Sequence, residues 1–189
     1  MKHASSQIVL THWSERRRNR AAPERNDIDP ALIRHALADC FMLASDFVGE
    51  LRFRLAGTRV CALFGREVKG ESFRSFWSEE SRRQIDPLLR IVADESVGAV
   101  AGLVGTTADG TEIDIEMLLL PLAHSGQARI RALGVLAPVK APFWVGEKPV
   151  IELGLRTLRH LGTAAQDRRI PAGARRNGFV VYRGGREAS

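Results

Sequence analysis

Cysteine is scarce: two occur in 189 residues, Cys40 and Cys61, each inside an apolar run. That excludes a disulfide framework and fits two buried thiols in a reducing compartment. Long hydrophobic runs are also missing, and the longest fall far below the ~20 residues a membrane span needs. The N-terminus, MKHASSQIVLTHWSERRR, has neither an apolar core of signal-peptide length nor a small-residue cleavage site. A cytoplasmic protein without a membrane span is expected. The body of the chain has no net charge. Residues 156 to 187 hold eight arginines against Asp167 and Glu187, a surplus of six, which equals the net charge of the whole chain. Basicity thus belongs to the tail. Catalytic signatures are lacking too, with no nucleophile elbow, no phosphate-cradling glycine loop and no kinase motif. The protein is therefore expected not to be an enzyme. The five histidines (3, 12, 35, 124 and 160) are scattered without metal-ligand spacing.

The length fits one domain with tails. Gln7 to Arg18 reads as a short helix whose stripe is Val9, Leu10 and Trp13. Such a stripe needs something to pack on. Arg20 to Asn26 reads as a linker. Asp29 and Pro30 open a predicted helix over 30–39, with Asp29 as cap and Ile28 and Ile33 as staple. Strand material follows at Cys40 to Ala44. In Leu51 to Leu55, Leu51, Phe53 and Leu55 share one face, and Arg52 and Arg54 the other. A short helix is predicted from Thr58 to Phe64, before Gly65. Ser78 caps a further helix, and Pro87 suggests two pieces, 78–84 and 87–95, or one kinked helix.

Residues 97 to 139 read as three strands with turns at Asp109-Gly110 and Ser125-Gly126. Connections this short force antiparallel neighbours. The middle strand alternates Ile113, Ile115 and Met117 with Glu112, Asp114 and Glu116, then turns wholly apolar at Leu118, Leu119 and Leu120. Both faces are covered at that end, by a helix or a partner. Farther on, Ile151, Leu153 and Leu155 alternate like a strand, whereas Leu155, Leu158 and Leu161 fit a helix. Phe179 to Tyr182 fits a last strand. These elements predict an α+β domain with a five-stranded antiparallel sheet and an N-terminal helix. Its parts are residues 1–26 (helix and linker), 27–161 (domain) and 162–189 (basic tail).

The stretch RFRLAGTRVCALFGRE at 52–67 carries the most information. Together with Asp27, Asp29 and Pro30, with Phe73 and Trp77, with EMLLLPL at 116–122 and with VYRGGR at 181–186, it resembles the short PAS family of alphaproteobacteria, whose members include a motility-regulating PAS protein. The resemblance runs from Asp27 to about His160. It implies helices packed on one face of the sheet around a small cavity, and a sensing or interaction role in signal transduction. Candidate cavity walls are Phe53, Phe73, Phe76, Trp77, Leu103, Met117 and Leu119, although a core role is favoured for each taken singly. Haem binding in PAS domains uses a histidine in the helical region, and residues 58–95 contain none. Flavin photosensors place a reactive cysteine in an Asn-Cys-Arg-Phe-Leu-Gln motif. Cys61 lacks those neighbours and reads as a core thiol, so both cofactors are disfavoured.

Three functional readings follow. The first is a sensor or interaction module acting through a protein partner or its own dimer, with a small apolar ligand as an option. The second is a ligand-free homodimeric scaffold with Val9, Leu10, Trp13, Leu118 and Leu120 at its interface. The weakest is nucleic-acid association through the arginine tail, which has few aromatics for stacking. Arg52, Arg54 and Arg59 are expected to pair with Glu112, Asp114 and Glu116 across the sheet. The alternative for the arginines is an anionic ligand. Asp114 and Glu116 read as the solvated half of an amphipathic strand rather than a catalytic carboxylate pair.

Overall fold

A computed structural model describes residues 1–123 and 131–161. The Ser125-Gly126 turn, His124, the arginines beyond residue 161 and the Phe179–Tyr182 strand lie outside these residues.

The first helix, α1 (Ala4–Arg17), starts three residues before its predicted position. His3 caps it, its Nδ1 accepting from the Ser5 amide at 3.2 Å, and Arg16 and Arg17 occupy its last turn. The cap after it is correctly placed, since Asp29 Oδ1 accepts from the Ala31 amide at 2.9 Å. The predicted helix over 30–39 is not α-helical, however. It is a run of turns ending in a 3-10 turn, Leu37–Asp39. Its amides reach back three residues, as in Ile33 to Pro30, Ala36 to Ile33 and Asp39 to Ala36. The burial pattern gives the reason. Ile33, Ala36 and Asp39 are buried and the residues between them are mostly exposed, a period of three rather than 3.6.

Strands β1 (Cys40–Ser45) and β2 (Leu51–Ala56) form a hairpin. Asp46 Oδ1 builds its turn by accepting from the amides of Val48 and Glu50. Phe53 faces the core but Leu55 does not. The register slips between Met42 and Leu43, which pair with Leu55 and Phe53, so Arg54 is an extra residue. This bulge turns Leu55 to the other face, where it is exposed. Next comes α2 (Thr58–Phe64), as predicted. Gly65 ends it at φ 66°, in the left-handed region where glycine is favoured. A 3-10 turn, Phe73–Phe76, leads into α3 (Glu79–Asp94), one continuous helix containing Pro87. Its cap is Ser78, whose hydroxyl accepts from the Ser81 amide.

Strands β3 (Gly98–Thr107), β4 (Glu112–Leu122) and β5 (Arg131–Pro138) form the predicted antiparallel meander. Among the described residues the sheet has six strands rather than five, in the order β2-β1-β5-β4-β3-β6, because β6 (Val150–Leu161) pairs with β3. A second bulge explains its ambiguous pattern. Gly102 pairs with Thr157 and Leu103 with Leu155, leaving Arg156 as the extra residue. Leu155 and Leu158, three apart, therefore pack on the same core. Leu161 packs on the opposite one.

The fold is α+β, with an apolar core on each sheet face. One face carries α2, the 3-10 turn and α3 over Phe41, Phe53, Leu103, Met117 and Leu119. The other carries α1 over Val100, Leu118, Leu120, Leu133 and Val135.

Candidate functional site

All the candidate cavity walls lie in the core beneath α2 and α3: Phe53, Phe73, Phe76, Trp77, Leu103, Met117 and Leu119 are each buried. The aromatic ones touch one another. The Phe53 ring lies 5.5 Å from those of Phe41 and Phe73 and 5.4 Å from Phe76. Phe64 meets Phe76 at 4.5 Å, and Phe73 meets Trp77 at 5.6 Å. Edge-on and tilted contacts of this kind are favoured by the ring quadrupoles. β5 makes room for the group through Gly134, where an added Cβ would fall 2.1 Å from Phe41 Cζ. Phe41 and Phe64 had no signal in the sequence beyond being apolar. The rings pack against one another between sheet and helices. One polar atom stands among them unsatisfied, since Trp77 Nε1 is buried with no partner among the described residues.

Cys40 is buried at the other face, and burial pushes its thiol up to about 12. Cys61 is not fully buried. It packs at the rim of the core, its Sγ 3.6 Å from Glu67 Oε1. Burial raises its pKa too, and the nearby Glu67 charge adds to this. Neither thiol is activated, because the thiolate is the nucleophile.

The interface candidates Val9, Trp13, Leu118 and Leu120 are covered within the chain, in the core under α1, with Leu10 partly buried beside them. The covering that the apolar end of β4 called for is therefore supplied by α1. Polar ties hold the helix down. Glu116, on β4, is buried and accepts from the amides of Lys2 and His3 at 2.5 and 3.0 Å. Asp39 is buried and accepts from Ser5 Oγ at 2.5 Å and from Arg59 Nε and Nη2 at 2.6 and 2.7 Å. Trp13 Nε1 donates to the Pro121 carbonyl at 2.7 Å. His12 Nε2 accepts from the Asp29 amide at 3.1 Å. Ser5, Val9, His12 and Trp13 fall at helical spacing, so this face of α1 was readable. Asp39 carried no such signal.

The predicted arginine pairing across the sheet does not occur. β2 is an edge strand, with β1 and β5 between it and β4. Arg52 instead binds Asp46 and Glu50 of its own hairpin, and Arg59 binds Asp39. Arg54 is exposed. Asp114 and Glu112 are met by Arg156, the bulge residue of β6, at 2.8 and 2.7 Å. With Glu116 turned to the N-terminal amides, Asp114 and Glu116 have separate partners. Among the described residues no cluster of His, Cys, Asp or Glu could hold a metal, and no helix is long and apolar enough to cross a membrane. His35 is exposed, and His160 lies on β6 with Nδ1 buried and without a partner among the described residues.

Solved structures resemble this chain at low identity. A light-oxygen-voltage domain, determined in a study of a flavin analogue, is 18% identical, with TM-score 0.45, over 59% of this chain and 87% of that one. An RNA-binding light-oxygen-voltage receptor is 14% identical, with TM-score 0.44, over 62% of this chain and 34% of its own. A PAS domain from Colwellia psychrerythraea is 15% identical, with TM-score 0.42, over 58% of this chain and 97% of that one. No curated protein matches. The family described as PAS domain matches residues 1–137, which takes in α1 as well as the sheet through β5. With more than half of its length matched, the chain belongs to the PAS domain family.

Proposed function

We propose that the protein is a non-catalytic, cytoplasmic sensor or interaction module of the short alphaproteobacterial PAS type, acting in signal transduction through a protein partner or its own dimer. Membership of the PAS domain family supports this reading, and the ring-to-ring packing of Phe41, Phe53, Phe64, Phe73, Phe76 and Trp77 bears on what the interior can hold. Pockets that take drug-sized ligands or cofactors run to roughly 300–1,000 Å³. A haem or flavin lodged here would have to displace several of these rings. A ligand at this site is therefore small and apolar, with one acceptor for Trp77 Nε1.

Native mass spectrometry of the full chain, joined to its visible absorption spectrum, tests this. The expected result is the bare polypeptide, or the polypeptide plus one small molecule, without visible absorption. A stoichiometric haem or flavin would overturn it. The scaffold reading rests on a different feature: among the described residues β6 is an edge strand, and its exposed Ile151 offers an apolar contact to a second copy. Light scattering on the full chain and on Ile151→Lys tests that reading. A wild-type monomer removes it.

A further inference from the structure

An open cleft of about 720 Å³ lies where α1 ends and the chain turns back, lined by Arg16, Arg18, Asn19, Arg20, Asn26, Asp27 and Asp29. The charges in it are not equally committed. Arg20 donates to Asp27 Oδ2 at 2.6 Å and to the Arg16 carbonyl at 2.9 Å. Asp27 Oδ2 also accepts from the Glu24 amide at 2.8 Å, and Asp29 Oδ1 from the Ala31 amide. These bonds hold the Asp27 carboxyl below its ordinary pKa, the Glu24 amide first and then Arg20. Among the described residues Arg16 and Arg18 form no ion pair, and the buried Arg16 Nε has no hydrogen-bond partner. Asn19 and Asn26 are exposed, and their side-chain amides are donors available to a ligand.

A helix C-terminus carries about half a negative charge, which disfavours an anion. Here the Arg16 carbonyl accepts from Arg20 Nη2, and the Arg17 carbonyl accepts from the Arg20 amide at 2.9 Å. With Arg20 paired to Asp27, Arg16 and Arg18 face the Asp29 carboxylate and a partly quenched dipole, so the lining of three arginines and two aspartates stays positive by one charge. Guanidinium groups bind phosphate through paired, charge-assisted hydrogen bonds. On the other wall, the oxygens of Asp27 and Asp29 not engaged by backbone or arginine are acceptors suited to hydroxyl groups. Those same carboxylates would repel a long polyanion laid across the cleft.

We propose that this cleft binds a small phosphate monoester bearing hydroxyl groups, its phosphate held by Arg16 and Arg18 with the amides of Asn19 and Asn26, and its hydroxyls by Asp27 and Asp29. The site lies outside the aromatic core and does not depend on it.

NMR titration of the full chain with inorganic phosphate and with ribose 5-phosphate, at constant ionic strength, tests the assignment. Saturable shifts confined to residues 16–29 are expected with both, and tighter binding of the sugar phosphate. Arg18→Gln should weaken each by at least about tenfold, the loss of one charge-assisted hydrogen bond. Arg83→Gln, on exposed α3 surface, should leave both unchanged. Arg16→Gln, with its fold verified by circular dichroism, should repeat the Arg18→Gln loss. Absence of saturable binding, or binding untouched by Arg18→Gln, overturns the site. Equal affinity for the two ligands overturns the hydroxyl contacts. Tighter binding of a single-stranded oligonucleotide through the same residues overturns the assignment to a small ligand.

Discussion

At position 134 a side chain and an aromatic ring compete for one volume. A Cβ there would lie between 2.1 and 2.5 Å from three atoms of the Phe41 ring, far inside contact distance. Gly134→Ala is therefore expected to destabilise the fold by about 1–3 kcal/mol, the usual cost of overpacking a core. Chemical denaturation measures it. Phe41→Leu in the same chain should recover part of that loss, so the two changes are non-additive. An additive double variant would mean that the ring does not sit there. This contact was hidden from the sequence. Glycine in a strand announces a close approach but not what approaches. Cys61 was hidden in the same way, because an apolar neighbourhood in sequence did not reveal that the thiol reaches the rim, beside Glu67.

The N-terminal helix is the element whose behaviour the structure makes most testable. His12 is buried on its inner face and accepts from the Asp29 amide, which only an unprotonated Nε2 can do. Burial lowers its pKa below 6.5, and the Arg16 charge lowers it further, against smaller opposing effects of Glu15 and Asp29. In the unfolded chain the ring protonates at about pH 6.5. The stability tied to it is thus complete above that pH and declines as pH falls towards the lower folded value. Urea denaturation between pH 5 and 8 should show this decline, and His12→Gln, which keeps an acceptor and cannot titrate, should flatten it. An unchanged profile in the variant would assign the decline to other groups. Deleting residues 1–22 should expose Val100, Leu118, Leu120, Leu133 and Val135. The truncated chain is expected to bind a hydrophobic dye and self-associate, as light scattering would show. A monodisperse, dye-silent product would mean that α1 is not what covers this face. The apolar run at 118–120 showed that a cover was needed, and the helical spacing in α1 supplied one. That the cover was this helix rather than a partner was not written in either segment. Likewise, Leu55 and the 150–161 strand were misread or left open because a bulge, one extra residue at Arg54 and at Arg156, changes the parity that an alternating pattern relies on.

Over the whole molecule, strand order decides which charges meet. Arg52 and Glu112 alternate on matching patterns, yet two strands separate β2 from β4, and Glu112 and Asp114 of β4 face an arginine brought in by β6. Pairing across a sheet requires the topology, which local pattern does not contain. The PAS architecture was legible because its marker segments, 52–67 and 116–122, sit where geometry constrains them most: one runs from β2 through α2 to just past Gly65, the other at the doubly covered end of β4. Six aromatic rings pack against one another between sheet and helices, and one nucleus reports on that packing. The α-protons of Gly134 lie against the Phe41 ring, so their NMR resonances in the full chain should be displaced upfield by its ring current, with cross-relaxation to Phe41 and from Phe41 to Phe53 and Phe73. Ordinary glycine shifts, with contacts from Gly134 to a bound molecule in place of Phe41, would contradict the account.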